Sequence, residues 1–158
     1  MQIFTALTAM GYEWVIRVDP DSNFPSVIPY NVIHAMEEKK TEYGFRAMSH
    51  ESKRMSRGLA EAAKYWLVSE DQTATFLLEM CKPRSMQGLS SAGWSYDIFY
   101  NNFFVTRIGF WMQPHIQGWL RHLERLNGYH KFRWGDAPVH TLTLGMFADK
   151  ATVMEFGF

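Results

Sequence analysis

The periodicity of apolar and polar positions changes from block to block along the chain, and each block predicts an element. "EWVIRVD", residues 13–19, is a β-rich apolar run ending on an acid and reads as a buried strand. "PDSNFPS" follows with two prolines among turn formers and reads as a loop. In "YNVIHAMEEKKT" the spacing puts Val32, Ile33 and Met36 on one face with "EEKK" outside, a short amphipathic helix. "YGFRAM" is a second strand. Residues 52–80 are rich in helix formers and predict two helices with a break near Ser69. "KPRSMQGLSSAGWS" has loop composition, and "NNFFVTRIGFW" is a strand that runs toward Pro114. "PHIQGWLRHLERLNG" is the clearest helix: proline at its start, apolar Ile116, Trp119, Leu120, Leu123 and Leu126 at helical spacing, and Gly128 past its end. "YHKFRW" reads as short and extended, "GDAPVHTLTLGMF" as a turn that becomes a helix, and "ATVMEF" as a last strand. Strands alternate with helices and no repeat interrupts them, so the class is α/β.

Composition narrows this picture. At 158 residues the chain is long enough for one domain with a real core, and 47% hydrophobic with 16% aromatic residues makes it globular and aromatic-rich. Sixteen basic and sixteen acidic side chains cancel, which argues against a dedicated nucleic-acid binder. The one cysteine, Cys81, excludes an intrachain disulfide and reads as a small buried apolar residue. No apolar run reaches the ~18 residues of a membrane span. "MQIFTALTAMGYEWV" lacks the basic start and long apolar stretch of a signal peptide, and it and the closing "VMEFGF" read as the edges of a longer domain.

Two stretches carry candidate chemistry. Asp19 and Asp21 bracket Pro20 where an apolar strand ends. Like charges that close repel unless something positive sits between them. The plain reading is a solvated turn. The sharper one is a site for Mn²⁺ or Mg²⁺, hard ions that prefer oxygen and bind diphosphates, at the strand end where α/β sheets bind ligands. D-x-D alone is a weak motif. In "FRWGDAPVH", residues 132–140, Arg133 and Asp136 flank Trp134, and His140 follows Asp136 by four. An indole beside charged groups suits a sugar, whose C–H face stacks while a carboxylate takes hydroxyls. A helix start with Asp136 near the cap and Arg133 in a surface ion pair accounts for the same residues. His34, His115, His122, His130 and His140 show no metal-ligand spacing, and His115 and His122 read as surface positions of one helix.

Taken together, "YEWVIRVDPDSNF", "YGF", "YNNF" and "GYHKFRWGDAPVHTLTLGMFADKATV" resemble, in order and spacing, the fungal-type α-1,2-mannosyltransferases of glycosyltransferase family 15. The "RWGDAPVH" block is the most distinctive part. The resemblance runs from about Tyr12 to Val153 and corresponds to the C-terminal half of the family's catalytic domain. It implies a single, partial GT-A-like domain over residues 1–158, a mixed sheet flanked by helices. It also implies a Golgi-type enzyme that transfers mannose from GDP-mannose to a mannosyl glycan acceptor, with retention and with Mn²⁺ (or Mg²⁺). Residue by residue, Asp19 stands at the family's metal-binding acid, and Asp21 completes a D-x-D. Arg17, Tyr100, Arg133 and Asp136 match positions that line the donor and acceptor sugars. Asp136 and Arg133 are then the catalytic candidates, with Asn102 a further sugar contact and Tyr100 and Trp134 apolar walls. Three departures stand out. Phe104 occupies the position of a glutamate proposed as nucleophile or front-face stabiliser, Asp97 that of a cysteine, and the chain ends before a family histidine of the metal site. A carboxylate does what a phenyl ring cannot at that carbon. The departures keep two further readings open: a non-catalytic relative that binds a sugar or nucleotide-sugar, and a structural or interaction protein.

Overall fold

The computed structural model describes residues 2–158. Its centre is β3, Asp97–Arg107, whose apolar run is long enough to serve two neighbours. β1 (Trp14–Val18) and β2 (Tyr43–His50) flank it, both antiparallel, and the short β4 (Val153–Glu155) pairs parallel to β2, giving the order β1-β3-β2-β4 in a mixed sheet. α1 (Gln2–Ala9) precedes β1, and between the strands run α2 (Val32–Glu38), α3 (Leu59–Ser69), α4 (Ile108–Trp111), α5 (Pro114–Leu126), α6 (Gly128–Lys131) and α7 (Asp136–Phe147). The α/β expectation holds.

Side chains of a strand alternate between its faces, and β3 uses both. Phe104 points into the main core with Tyr43, Trp111, Trp119 and the buried face of α7, while Phe103 and Val105 join a smaller cluster with Val32 and Met36 of α2 and Phe156. α7 is apolar almost all round, as a helix enclosed by the fold should be, with every residue from Ala137 to Met146 buried except His140. Its Thr141 hydroxyl donates to the Ala137 carbonyl at 2.8 Å and accepts from the Phe99 amide at 2.9 Å, which pins α7 to β3. Against β2 the register of β3 slips between Phe45 and Ala47, so that Asn101, Asn102 and Phe103 bulge out of the ladder. Bulges of this kind re-aim side chains, and here the buried Asn101 lies inside one.

Local signals explain the helix ends. Asn31 caps α2 by accepting from the Ile33 and His34 amides. α5 has proline in its first turn and ends on Asn127 in the left-handed region at φ 57°. Gly128, just beyond, is a packing requirement, since a Cβ there would lie 2.3 Å from the Trp134 ring.

Four expectations are corrected. β1 is an edge strand rather than a buried one: Ile16 and Val18 remain 47% and 41% exposed because nothing pairs with its outer side among the described residues. The second helix of residues 52–80 shrinks to a 3₁₀ turn, Leu77–Met80, after the break at Ser69. "YHKFRW" opens as helical α6 instead of an extended segment, because the Asn127 turn restarts the helix at once. His122 is half-buried among Tyr65, Trp66 and Trp119 rather than on the open surface. No helix among the described residues is long and apolar enough to cross a membrane.

Candidate functional site

The site forms where the end of β1 meets the start of α7. In an extended strand residues two apart share a face, so Arg17 and Asp19 stand side by side. The Arg17 guanidinium donates through Nε (3.1 Å) and approaches through Nη2 (2.9 Å) the Oδ1 of Asp19. Its Nη1 bonds Oδ2 of Asp136, 119 residues away in sequence. Asp136 is the first residue of α7, where the helix dipole favours an anion, and its Oδ1 accepts from the Ala137 amide at 3.1 Å. One arginine therefore clamps two acids from opposite ends of the fold.

The electrostatics follow from that arrangement. Burial pushes the Asp136 carboxyl up, but the Asn101 amide and the Arg17 guanidinium outweigh it and hold the group below its usual range. Burial lowers the Arg17 pKa, and the two acids more than restore it, so the net direction is upward. His140, one helical turn after Asp136, is enclosed by Trp111 at 4.4 Å, Phe104 at 5.3 Å and Tyr43 at 6.0 Å between ring centroids. Burial depresses its pKa to about 4 against the pull of Asp136, so the imidazole is neutral at physiological pH.

These groups open onto a cavity of about 880 Å³ between β1, α1, α5 and α7. Arg17, Asp136 and His140 are its polar groups near the clamp, and Phe4, Phe104, Trp111, Tyr129 and Trp134 supply aromatic wall. A few convergent polar groups in an apolar-walled concavity are the general form of a small-molecule site.

Comparison with known proteins gives this geometry a context. A family model described as glycolipid 2-alpha-mannosyltransferase matches residues 2–157. The chain belongs to that family, glycosyltransferase family 15. Among curated relatives it is 28% identical over 150 residues to the alpha-1,2 mannosyltransferase KTR1 of Saccharomyces cerevisiae, covering 92% of this chain and 36% of that protein. It is also 28% identical over 148 residues to a glycolipid 2-alpha-mannosyltransferase of the same yeast, covering 92% of this chain and 32% of that protein. The crystal structure of core-mannan synthase A (CmsA/Ktr4) from Aspergillus fumigatus, in its Mn/GDP form, superposes with a TM-score of 0.84 at 26% identity, over 97% of this chain and 42% of that one. The mannosyltransferase Ktr4p of S. cerevisiae in complex with GDP shares the fold at TM-score 0.85 and 24% identity, over 98% and 41% of the two chains. The chain thus spans about a third of the length of the curated relatives it matches.

Within this family fold the remaining candidates scatter. Asp19, Pro20, Asp21 and Ser22 form a turn closed by the Ser22 amide on the Asp19 carbonyl at 2.9 Å, which presents Asp21 exposed. Asp19 and Asp21 on one turn would hold a hard divalent ion in part, leaving other positions for diphosphate oxygens and water. Among the described residues no group of three or more His, Cys, Asp or Glu side chains converges, so the fit is to an ion shared with a ligand rather than to a closed protein cage. The Asn102 carbonyl accepts from the Asp19 amide at 2.8 Å and so fixes where that turn begins. Tyr100 is exposed on β3. Trp134 lines the cavity but is buried and anchored, its Nε1 donating to the Arg57 carbonyl at 2.8 Å. Arg133 is exposed, adopts φ 62°, forms no ion pair among the described residues and lies outside the cavity wall. The cation on Asp136 is Arg17, not its sequence neighbour.

Sequence reasoning missed Tyr43 and Asn101, and named His140 beside Asp136 without giving it a role. The Asp136-to-His140 spacing of one helical turn was the signal for His140, and neither Tyr43 nor Asn101 had one. Phe104, by contrast, was singled out. It is 3% exposed, pairs across the ladder with Arg17, stacks on Tyr43 at 5.5 Å and faces the cavity.

Proposed function

We propose that this chain carries the acceptor-side and metal-side portion of a retaining mannosyltransferase that uses GDP-mannose and a mannosyl glycan acceptor, in the Golgi lumen. The observation that carries the reading is the Arg17 clamp on Asp19 and Asp136 at the mouth of an aromatic-walled cavity, in a chain of this family. The Mn/GDP form of the Aspergillus relative and the GDP complex of the yeast one support the choice of nucleotide, and the former the choice of metal.

Each residue then has a task. Asp19 and Asp21 would hold the Mn²⁺ (or Mg²⁺), which when bound supplies neutralisation of charge on the departing diphosphate. Arg17 fixes Asp136 and adds a second positive charge beside that diphosphate. Asp136, kept ionised, accepts hydrogen bonds from sugar hydroxyls and orients the ring. Trp134 supplies cavity wall, and Tyr100, exposed on β3, and Asn102, in the bulge beside it, are further sugar contacts. Arg133, exposed at the entrance to α7, is free to reach a bound phosphate or sugar from outside the cavity.

A second reading, binding of a sugar or nucleotide-sugar without turnover, is favoured by Phe104. An apolar ring sits next to Arg17 where the resemblance leads one to expect a carboxylate, and it cannot stabilise a developing oxocarbenium ion. Calorimetric titration of GDP with and without Mn²⁺, followed by GDP-mannose turnover with a mannoside acceptor, separates the readings. Mn²⁺-dependent binding with turnover supports the enzyme, and binding alone supports the second reading. No binding by folded protein overturns both.

A further inference from the structure

Buried polar atoms in folded proteins are almost always hydrogen-bonded, so a cluster of exceptions calls for an explanation. Three of the exceptions here belong to residues coupled to one carboxylate, that of Asp136. Tyr43 Oη on β2, Asn101 Nδ2 in the β3 bulge and His140 Nδ1 on α7 are all buried without a hydrogen-bond partner. The Tyr43 and His140 rings meet edge to face at 6.0 Å between centroids. All three act electrostatically on Asp136 or feel its charge: Asn101 helps hold it ionised, while its negative charge pulls the His140 pKa up against burial and, after burial, pushes the Tyr43 hydroxyl up. Phenylalanine at position 43 and leucine at 140 would fill the same space among Phe104, Trp111 and Phe4 without leaving a polar atom stranded. As packing, the present residues are therefore a poor solution. They make sense if the field they create at Asp136 is what matters.

We propose that Tyr43, Asn101 and His140 are positioning residues for Asp136: a buried polar seam, drawn from three separate elements, that fixes the direction in which its carboxylate faces the cavity. Arg17 holds the outer oxygen and the Ala137 amide the inner one. The seam lies behind both and resists rotation of the carboxylate toward the helix interior. This deepens the mannosyltransferase reading and rests on it only for the ligand, a hexose whose hydroxyls Asp136 would accept.

The test uses Tyr43→Phe, Asn101→Leu and His140→Leu in the full chain with three readouts: the melting temperature, the Asp136 side-chain carboxyl ¹³C resonance at neutral pH, and affinity for GDP against GDP-mannose with Mn²⁺. For Tyr43→Phe and His140→Leu the expected result is a melting temperature unchanged or raised by about 2–4 °C as a stranded polar atom is removed. The Asp136 resonance moves in each variant. GDP affinity stays within about twofold of wild type, while GDP-mannose loses about tenfold, the scale of a misplaced orienting group. Variants that melt lower with the Asp136 resonance unmoved overturn the proposal, because the three groups are then structural. If the wild-type chain binds no GDP-mannose, the mannosyltransferase reading fails, and the resonance alone still decides the seam. Three independent elements are altered, so a variant that does not fold leaves two that decide.

Discussion

Phe104→Glu tests the core and the chemistry with one change. The ring is 3% exposed, stacks on Tyr43 at 5.5 Å and meets His140 edge-on at 5.3 Å. Its removal forfeits about 2 kcal/mol of apolar burial. Taking a carboxylate out of water adds a penalty of about 3–5 kcal/mol. Arg17 offsets part of it: its guanidinium carbon is 6.0 Å from the ring centroid, and a unit charge at that range gains about 3 kcal/mol at an effective dielectric of 20. Arg17 is already shared by two acids and more than a third exposed, which cuts that gain to about 1 kcal/mol. The net loss is about 4–6 kcal/mol, or roughly 10–20 °C in melting temperature for a domain of this size. It should depend on pH. The new acid's pKa is raised in the folded state, so relative to wild type the loss is smallest below pH ~4.3, grows as pH rises and levels off above the folded pKa. Thermal unfolding of both proteins at pH 5 and pH 8 checks this. A melting temperature within about 2 °C of wild type at both pH values would refute the packing of Phe104 described above. GDP-mannose turnover by the variant, where wild type has none, would show that a missing carboxylate is what separates binding from catalysis.

Asp19→Ala should abolish Mn²⁺-dependent GDP binding in calorimetry while circular dichroism stays unchanged; equal GDP affinity with Mn²⁺ present removes Asp19 from the metal site. Gly128→Ala drives a Cβ to within 2.3 Å of the Trp134 ring and should cost about 1–3 kcal/mol by denaturant unfolding. His140, whose folded pKa of about 4 lies below its ordinary value of 6.5, contributes stability that is lost as pH falls from 6.5 toward 4. His140→Leu should flatten the fall in melting temperature over that window, and an unaltered slope would place the titration elsewhere.

What the sequence disclosed follows from the range of the signals. Helical periodicity is local, so Ile116, Trp119, Leu120 and Leu123 located α5 and its buried face without knowledge of anything beyond it. Asp136 was legible for the same reason, as the first residue of a helix within a distinctive block. Edge against centre is not local. "WVIRV" is as apolar as an interior strand, yet whether its outer side is paired depends on the whole sheet. The partner of Asp136 was hidden in the same way: Arg133 lies three residues away and points elsewhere, while Arg17 arrives through the sheet from 119 residues away. Asn101 and Asn102 are indistinguishable in "YNNF", and only the β3 bulge decides that Asn101 is the one buried beside Asp136.

The acids of "RVDPDSNF" repel unless a positive charge stands between them, and Arg17 partly meets that need without a metal. Its guanidinium takes Oδ1 of Asp19, while the turn leaves Asp21 exposed. The two carboxylates are thus unequal. Asp19 is pre-oriented and half neutralised, which lowers its attraction for a free cation but also its cost of facing a second acid. Asp21 is exposed. Such a pair would suit an ion that arrives with negative charge of its own: Asp19 and Asp21 would hold the metal, and Arg17 would supply positive charge to the diphosphate. A bare divalent ion brings no such charge. The same arginine holds Asp136, so under the proposed function loading of the diphosphate would be felt at Asp136 through one shared guanidinium, coupling the two halves of the site by charge.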